Sequence, residues 1–216
     1  MTTSEQYLIY RYHTEPPRYQ LLHCLRNRVQ GGESYFVDGF AAACDFERDH
    51  PEKAALLQQI TLAYEYHNDG HHMENTHVIL PRSLTRLRSA IAWSPPFQGT
   101  RRVKNGPMDE SFLDAVALWE SYLAQDARRL EFKMEEGDLV FFDNRRVLHA
   151  RRAFRNWTEQ EKQQMSLKQV VDGQPQRWLK GCYLDGDTVW DKLVQLSIDH
   201  SKSVGRERKT QAASAT

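Results

Sequence analysis

The sequence predicts a mainly β fold with helices packed against it, an α+β sandwich or barrel rather than a doubly wound α/β sheet. Three observations predict this. Short strand-like runs stand at both ends of the chain. One long amphipathic segment lies between them. Strands and helices do not alternate regularly, as parallel βαβ units would require.

Taken in order, residues 19–28 (YQLLHCLRNR) form an apolar run with partial alternation and read as a strand. Gly31-Gly32 marks a turn, and ESYFVDGF reads as a second strand. Residues 38–60 look helical in two pieces. Asp38 is placed to cap the first, and Pro51-Glu52 opens a second whose apolar face is Ala55, Leu56 and Ile60. HVILP and LRSAIAW read as short strands among the turn formers Asn68-Asp69-Gly70 and Pro95-Pro96. Residues 109–129 give the clearest helix, with Phe112, Val116, Trp119 and Leu123 on one face and Arg128-Arg129 at its end. EFKMEEGDLVFFDNRRVLHARRAF divides into three strands at Glu136-Gly137-Asp138 and Asp143-Asn144. Residues 156–175 are polar and lack a period-2 apolar pattern, so an exposed insertion is expected. QRWLKGCYLD reads as a last strand and DTVWDKLVQL as a closing helix capped by Asp187. From Ser201 the chain is small and polar, and a disordered tail over 201–216 is expected after a catalytic domain over 1–200.

Composition narrows the function classes. Hydrophobic residues make up 40% and charged residues 27% of 216, a globular balance. Twenty-nine basic side chains face twenty-nine acidic ones, which disfavours a dedicated nucleic-acid binder because no basic excess is available for counterion release. No apolar run approaches a membrane span, so no membrane partner is expected. Cys24, Cys44 and Cys182 form no CxxC pair, so reduced thiols and a cytoplasmic location are the expectation.

The richest chemistry lies in GDLVFFDNRRVLHARRAF. On a strand, His149 and Arg151 share a face. An imidazole beside guanidinium groups can hold a metal next to a dicarboxylate, since arginine forks match carboxylates. A structural histidine and a solvated or phosphate-binding arginine face are the alternatives. His67, His71, His72 and His77 cluster in YHNDGHHMENTH, where zinc or nickel could bind adventitiously but irregular spacing fixes no geometry. Cys24 sits beside His23, on the opposite face of the same strand, so the two make no nucleophile–base pair. Cys182 reads as a small core residue, and WSPPF as a turn lining a pocket.

GDLVFFDNRRVLHARRAF followed by RWLKGCYLD resembles the C-terminal signature of the gamma-butyrobetaine and trimethyllysine hydroxylases, TauD-like Fe(II)/2-oxoglutarate-dependent dioxygenases. PPRYQLLHCLRNRVQGGESYFVDGF is similar to the strand–turn–strand that follows that family's first metal motif, and SPPFQ fits its fungal-type branch. The resemblance covers most of residues 16–196. It implies a double-stranded β-helix (jelly roll), here an incomplete one, and a 2-His-1-carboxylate iron site. By similarity His149 matches the distal metal histidine, Arg177 the arginine that pairs with the far carboxylate of 2-oxoglutarate, and Tyr183 an aromatic residue bordering a trimethylammonium group.

The sequence departs from the family pattern in four places. Counting back at family spacing, the His-x-Asp motif falls on about Tyr7 and Ile9. A local His-x-acid, His13-Thr14-Glu15, precedes Pro16-Pro17 and supplies the nearest candidates to complete the triad. The stretch between His149 and Arg177 is longer than the family's. WSPPFQ replaces polar residues near the substrate. The chain starts almost where the first triad motif should stand, as a truncated or naturally reduced homologue would. The expected activity is therefore Fe(II)/2-oxoglutarate-dependent oxidation of a small organic substrate, carnitine-pathway-like or a secondary metabolite. The rival is an inactive or partner-dependent homologue serving as a binding subunit, and a homodimer or a partner subunit is compatible with either.

Overall fold

The computed structural model describes residues 12–84, 89–99, 109–158, 160–161 and 174–214, with side chains as far as residue 203. Two three-stranded antiparallel sheets face each other. One is built from β1 (Tyr19–Asn27) at its centre, with β7 (Leu139–Asp143) and β10 (Arg177–Leu184) on its flanks. The other has β3 (Ser34–Asp38) between β6 (Arg129–Phe132) and β8 (Val147–Arg151). Phe36 from one sheet and Phe142 from the other meet edge to face at 5.4 Å, which sets the sheets against each other.

The turn between β1 and β3 needs its glycines. Gly31 and Gly32 both have φ +78°, and a Cβ on Gly31 would lie 2.5 Å from the Ala153 carbonyl oxygen. Here β2 (Gln30–Gly31) pairs with β9 (Phe154–Arg155) and brings Phe154 beside the sheet edge.

The outer face of β3 and β8 is covered by helices. Tyr35, Val37, Leu148 and Ala150 form one core with residues from α1 (Gly39–Asp49), α2 (Pro51–Gln59) and α3 (Glu110–Leu123), where Phe46, Leu57 and Trp119 are fully buried. The Asp38 carboxylate accepts from the backbone N–H groups of Phe40 and Ala41, and Asp109 accepts from Phe112, so both expected helix starts carry caps. The two-piece helix over 38–60 and the strands of the C-terminal half stand where periodicity and turn residues place them.

Four expectations are corrected. The helix begun at Glu110 stops at Leu123 rather than near 129, because Gln125 turns extended, Arg128 pairs with Asp45 and Arg129 enters β6. HVILP and LRSAIAW do not make two strands. His77 and Val78 end β5 (His71–Val78), which pairs with β4 (Thr61–Asn68) around Asn68-Asp69-Gly70. Ile79, Leu80 and residues 89–93 run on without a regular ladder, and residues 87–88 lie outside the described residues. The closing helix α4 (Gly186–Ser214) is started by Asp185, whose carboxylate accepts from Asp187 and Thr188, so Asp187 is not the cap. The same helix continues through 201–214, where a disordered tail was expected. Once a helix is nucleated, its Lys, Arg, Gln and Ala residues extend it at little cost. Of the polar segment 156–175, Thr158 and Glu161 close an exposed hydrogen-bonded turn, and 159 and 162–173 lie outside the described residues.

Candidate active site

Between the two sheets lies a cavity of about 360 Å³, and His149, Arg151, Arg177 and Tyr183 all line it. Strand parity delivers them. On β8, Leu148 and Ala150 turn to the helical core, so His149 and Arg151 turn inward. On β10, Trp178, Lys180 and Cys182 face out while Leu179 and Tyr183 face in. Register then matches the sheets. Phe36 lies opposite His149, Ser34 opposite Arg151, and Gln20 opposite both Tyr183 and Phe142.

His149 is 7% exposed and held between Phe36 and Phe142. Its Nδ1 is buried without a hydrogen bond. Burial pushes its pKa down to about 4, so the ring is neutral at pH 7 and keeps a lone pair. Gln20 Nε2 donates to the Tyr183 hydroxyl at 2.9 Å, fixing the phenol at the cavity wall.

The arginine cluster separates into roles. Arg145 donates to the Pro16 carbonyl at 3.1 Å and 3.2 Å. Arg146 pairs with Asp38, Arg152 with Glu131, and Arg155 with Glu161. Arg151 and Arg177 point elsewhere. Both guanidinium groups lie over the Phe154 ring, at 4.5 Å and 5.4 Å. Burial lowers the pKa of each from the usual arginine value, and Arg151 lowers that of Arg177 further. Gly32 leaves room for this packing, since a Cβ there would come within 3.3 Å of Arg177 Nε and of Phe154.

His13 and Glu15 do not join His149. Both are exposed, and Glu15 lines a separate cavity with His77 and Arg145. His77 Nε2 donates to the His13 carbonyl at 3.1 Å, tying that segment to the β4–β5 hairpin. The cause is local. Pro16-Pro17 bring the chain out of the turn before β1 begins, and Arg145 clamps the Pro16 carbonyl. Among the described residues, no group of three or more His, Cys, Asp or Glu side chains is placed to hold a metal ion. This includes the histidine-rich hairpin, where His67 and His72 touch each other at 3.4 Å. Cys24 is buried, as strand parity requires, and burial raises its thiol pKa, while Cys182 is exposed rather than a core residue.

Three cavity residues carried no signal strong enough to single out: Gln20 and Ser34 are ordinary polar residues at inward strand positions, and Leu22 looks like any core residue. Phe154, which carries the two arginines from a two-residue strand, gave no signal either. Phe97, from the SPPFQ turn, does line the cavity as expected.

Comparisons with known proteins bear on family and fold. The family model described as "Taurine catabolism dioxygenase TauD, TfdA family" matches residues 10–183. A dioxygenase of Strobilurus tenacellus, named str8, is 40% identical over 181 residues, covering 84% of this chain and 40% of that protein. The gamma-butyrobetaine dioxygenase of Pseudomonas sp. (strain AK-1) is 32% identical over 195 residues, covering 83% and 43%. The chain thus spans about two-fifths of the length of these relatives. Among solved structures, a taurine dioxygenase from Burkholderia xenovorans superposes with TM-score 0.60 at 16% identity, covering 84% of this chain and 56% of that one. PvcB, described as an Fe, alpha-ketoglutarate dependent oxygenase, superposes with TM-score 0.57 at 17% identity, covering 86% and 58%. These likenesses establish the jelly-roll fold, present here as two facing sheets without a closed barrel.

Proposed function

The chain belongs to the TauD/TfdA dioxygenase family, and on that premise we propose that it serves Fe(II)/2-oxoglutarate-dependent oxidation of a small organic substrate. One observation carries the reading. His149 and Arg177, matched to the family's distal metal ligand and co-substrate anchor, enter one cavity from facing sheets despite the long segment between them. Arg177, with a buried Nε that has no hydrogen-bond partner, suits the far carboxylate of 2-oxoglutarate. Tyr183 presents an aromatic face to the same space, fit for an organic cation such as a quaternary ammonium group. Three free cysteines favour the cytoplasm, and among the described residues no helix is long and apolar enough to cross a membrane.

The described lining does not fit iron, since one imidazole is not a facial triad. That favours a second reading, a partner-dependent binding subunit, in which another polypeptide supplies the missing ligands. Both readings are tested by writing the family motif back. Tyr7→His with Ile9→Asp restores His-x-Asp at the family spacing. The variant is expected to take up Fe(II) and release succinate from 2-oxoglutarate above the unsubstituted chain, and Arg177→Met is expected to abolish that release. A variant that binds iron stoichiometrically and yet releases no succinate would overturn the oxygenase reading.

A further inference from the structure

All nine histidines of the chain fall among the described residues, and of these only His149 lines the inter-sheet cavity. His23 lies on β1 between Leu22 and Cys24, which face inward, so it faces outward. His50 stands between α1 and α2, and His200 lies on α4. His67, His71, His72 and His77 belong to the β4–β5 hairpin, and His13 is exposed beside it. A two-histidine iron site is therefore not built by this chain's own cavity, whatever carboxylate is offered.

What the cavity does contain is doubled positive charge. Arg151 and Arg177 flank one phenyl ring, Phe154, and no ion pair engages either among the described residues, although the four neighbouring arginines are committed elsewhere. Ser34, 5% exposed, stands directly across from Arg151 and adds a hydroxyl. Arg151 Nη1 donates to the Arg152 carbonyl at 3.0 Å, which leaves its other N–H groups for a ligand. The two guanidinium groups repel each other, and a bound carboxylate accepting from both offsets the repulsion. The remaining wall offers polar groups for a second carboxylate: the His149 ring and the Tyr183 hydroxyl.

We infer that this chain takes up a small dicarboxylate through Arg151 and Arg177 without any metal ion. The inference rests on reading the cavity as a 2-oxoglutarate site, and it adds that iron is not needed to fill it. A consequence separates the two. A metal recognises a 2-oxo acid by chelation through its oxo and carboxylate oxygens, whereas two arginines do not read the oxo group. Succinate should therefore bind about as well as 2-oxoglutarate.

Titration calorimetry of the whole chain decides this, with 2-oxoglutarate and succinate as probes, once in EDTA and once in Mn(II). Both probes are expected to bind in EDTA within about threefold of each other, and Mn(II) should change the 2-oxoglutarate affinity by less than about threefold. Arg151→Lys and Arg177→Lys, which keep the charge and lose the fork, should each weaken binding by about tenfold or more with an unchanged melting temperature. Stronger dependence of 2-oxoglutarate binding on Mn(II), removed by His149→Ala, would overturn the inference and leave the oxygenase reading standing. Absence of binding in both buffers, or binding that neither lysine variant weakens, would overturn the inference and the co-substrate site together.

Discussion

At the scale of single residues, His149 is the most consequential side chain, because burial alone moves it far from its ordinary behaviour. In the unfolded chain a histidine takes a proton near pH 6.5, while in the fold this ring resists until about pH 4. The unfolded state therefore binds the extra proton throughout that interval. The stabilising contribution is complete above pH 6.5 and is lost as the pH falls toward 4. A separation of this size corresponds to at most about 3.5 kcal/mol. In metal-free buffer, urea unfolding should show stability falling by about 2–3 kcal/mol between pH 7 and pH 4.5, and His149→Asn should flatten that fall. An unchanged slope in the variant would place the titrating group elsewhere. The carboxyls of Glu131 and Glu136, held below their usual range chiefly by the Arg152 and Arg28 guanidinium groups, and that of Asp38, where burial is outweighed by Arg146 and the Phe40 and Ala41 N–H groups together, act at lower pH. At this scale long motifs grouped His149, Arg177 and Tyr183, and the three side chains line one cavity. It misled at His13 and Glu15, since adjacency along the chain does not say which side of a turn a side chain occupies.

At the scale of elements, Asp38 joins a strand to a helix and makes two separable contributions. Its carboxylate caps α1 through Phe40 and Ala41, and it also receives the Arg146 guanidinium in a half-exposed ion pair at 2.6 Å. Cap hydrogen bonds contribute about 1 kcal/mol, whereas an exposed ion pair contributes less than about 1 kcal/mol. Asp38→Asn keeps the cap and loses the charge, and should cost only a few tenths of a kcal/mol. Asp38→Ala loses both and should cost about 1–2 kcal/mol in chemical denaturation. Equal losses in the two variants would mean that the ion pair, not the cap, does most of the stabilising. Elements of this kind were legible because their punctuation is chemical: Asp38 as a cap, Pro51 at a helix start, Gly31-Gly32 and Gly137 at turns. The strand β5 was not, because HHMENTHV is polar and partly exposed, held by its pairing with β4 rather than by a buried face. Neither were β2 and β9, which are too short to carry a period.

At the scale of the whole molecule, the two sheets are unequally buried. The sheet of β6, β3 and β8 has the helical core on one face and the cavity on the other, so Tyr35, Val37 and Leu148 are closed off from solvent. The sheet of β7, β1 and β10 is covered on its inner face alone. Its outward side chains Leu139, Phe141 and Trp178 are each more than half exposed, and α4 continues from it with Trp190, Leu193 and Leu196 equally exposed. The sequence could announce alternation in both sheets, but not which sheet the helices would choose, since both carry apolar residues on both faces. Protection against hydrogen exchange follows the burial of the surrounding side chains. The amides of residues 35–37 and 148–150 should therefore exchange slowest, at rates set by global unfolding. Those of β10 should be intermediate, and those of α4 beyond Asp191 should exchange fastest among the helices, because local opening there exposes almost nothing new. Native-state exchange read by mass spectrometry on short peptides resolves the three groups. If α4 proved as protected as α3, its apolar side chains would be covered in solution, and the unequal burial of the two sheets would not describe the molecule as it exists there.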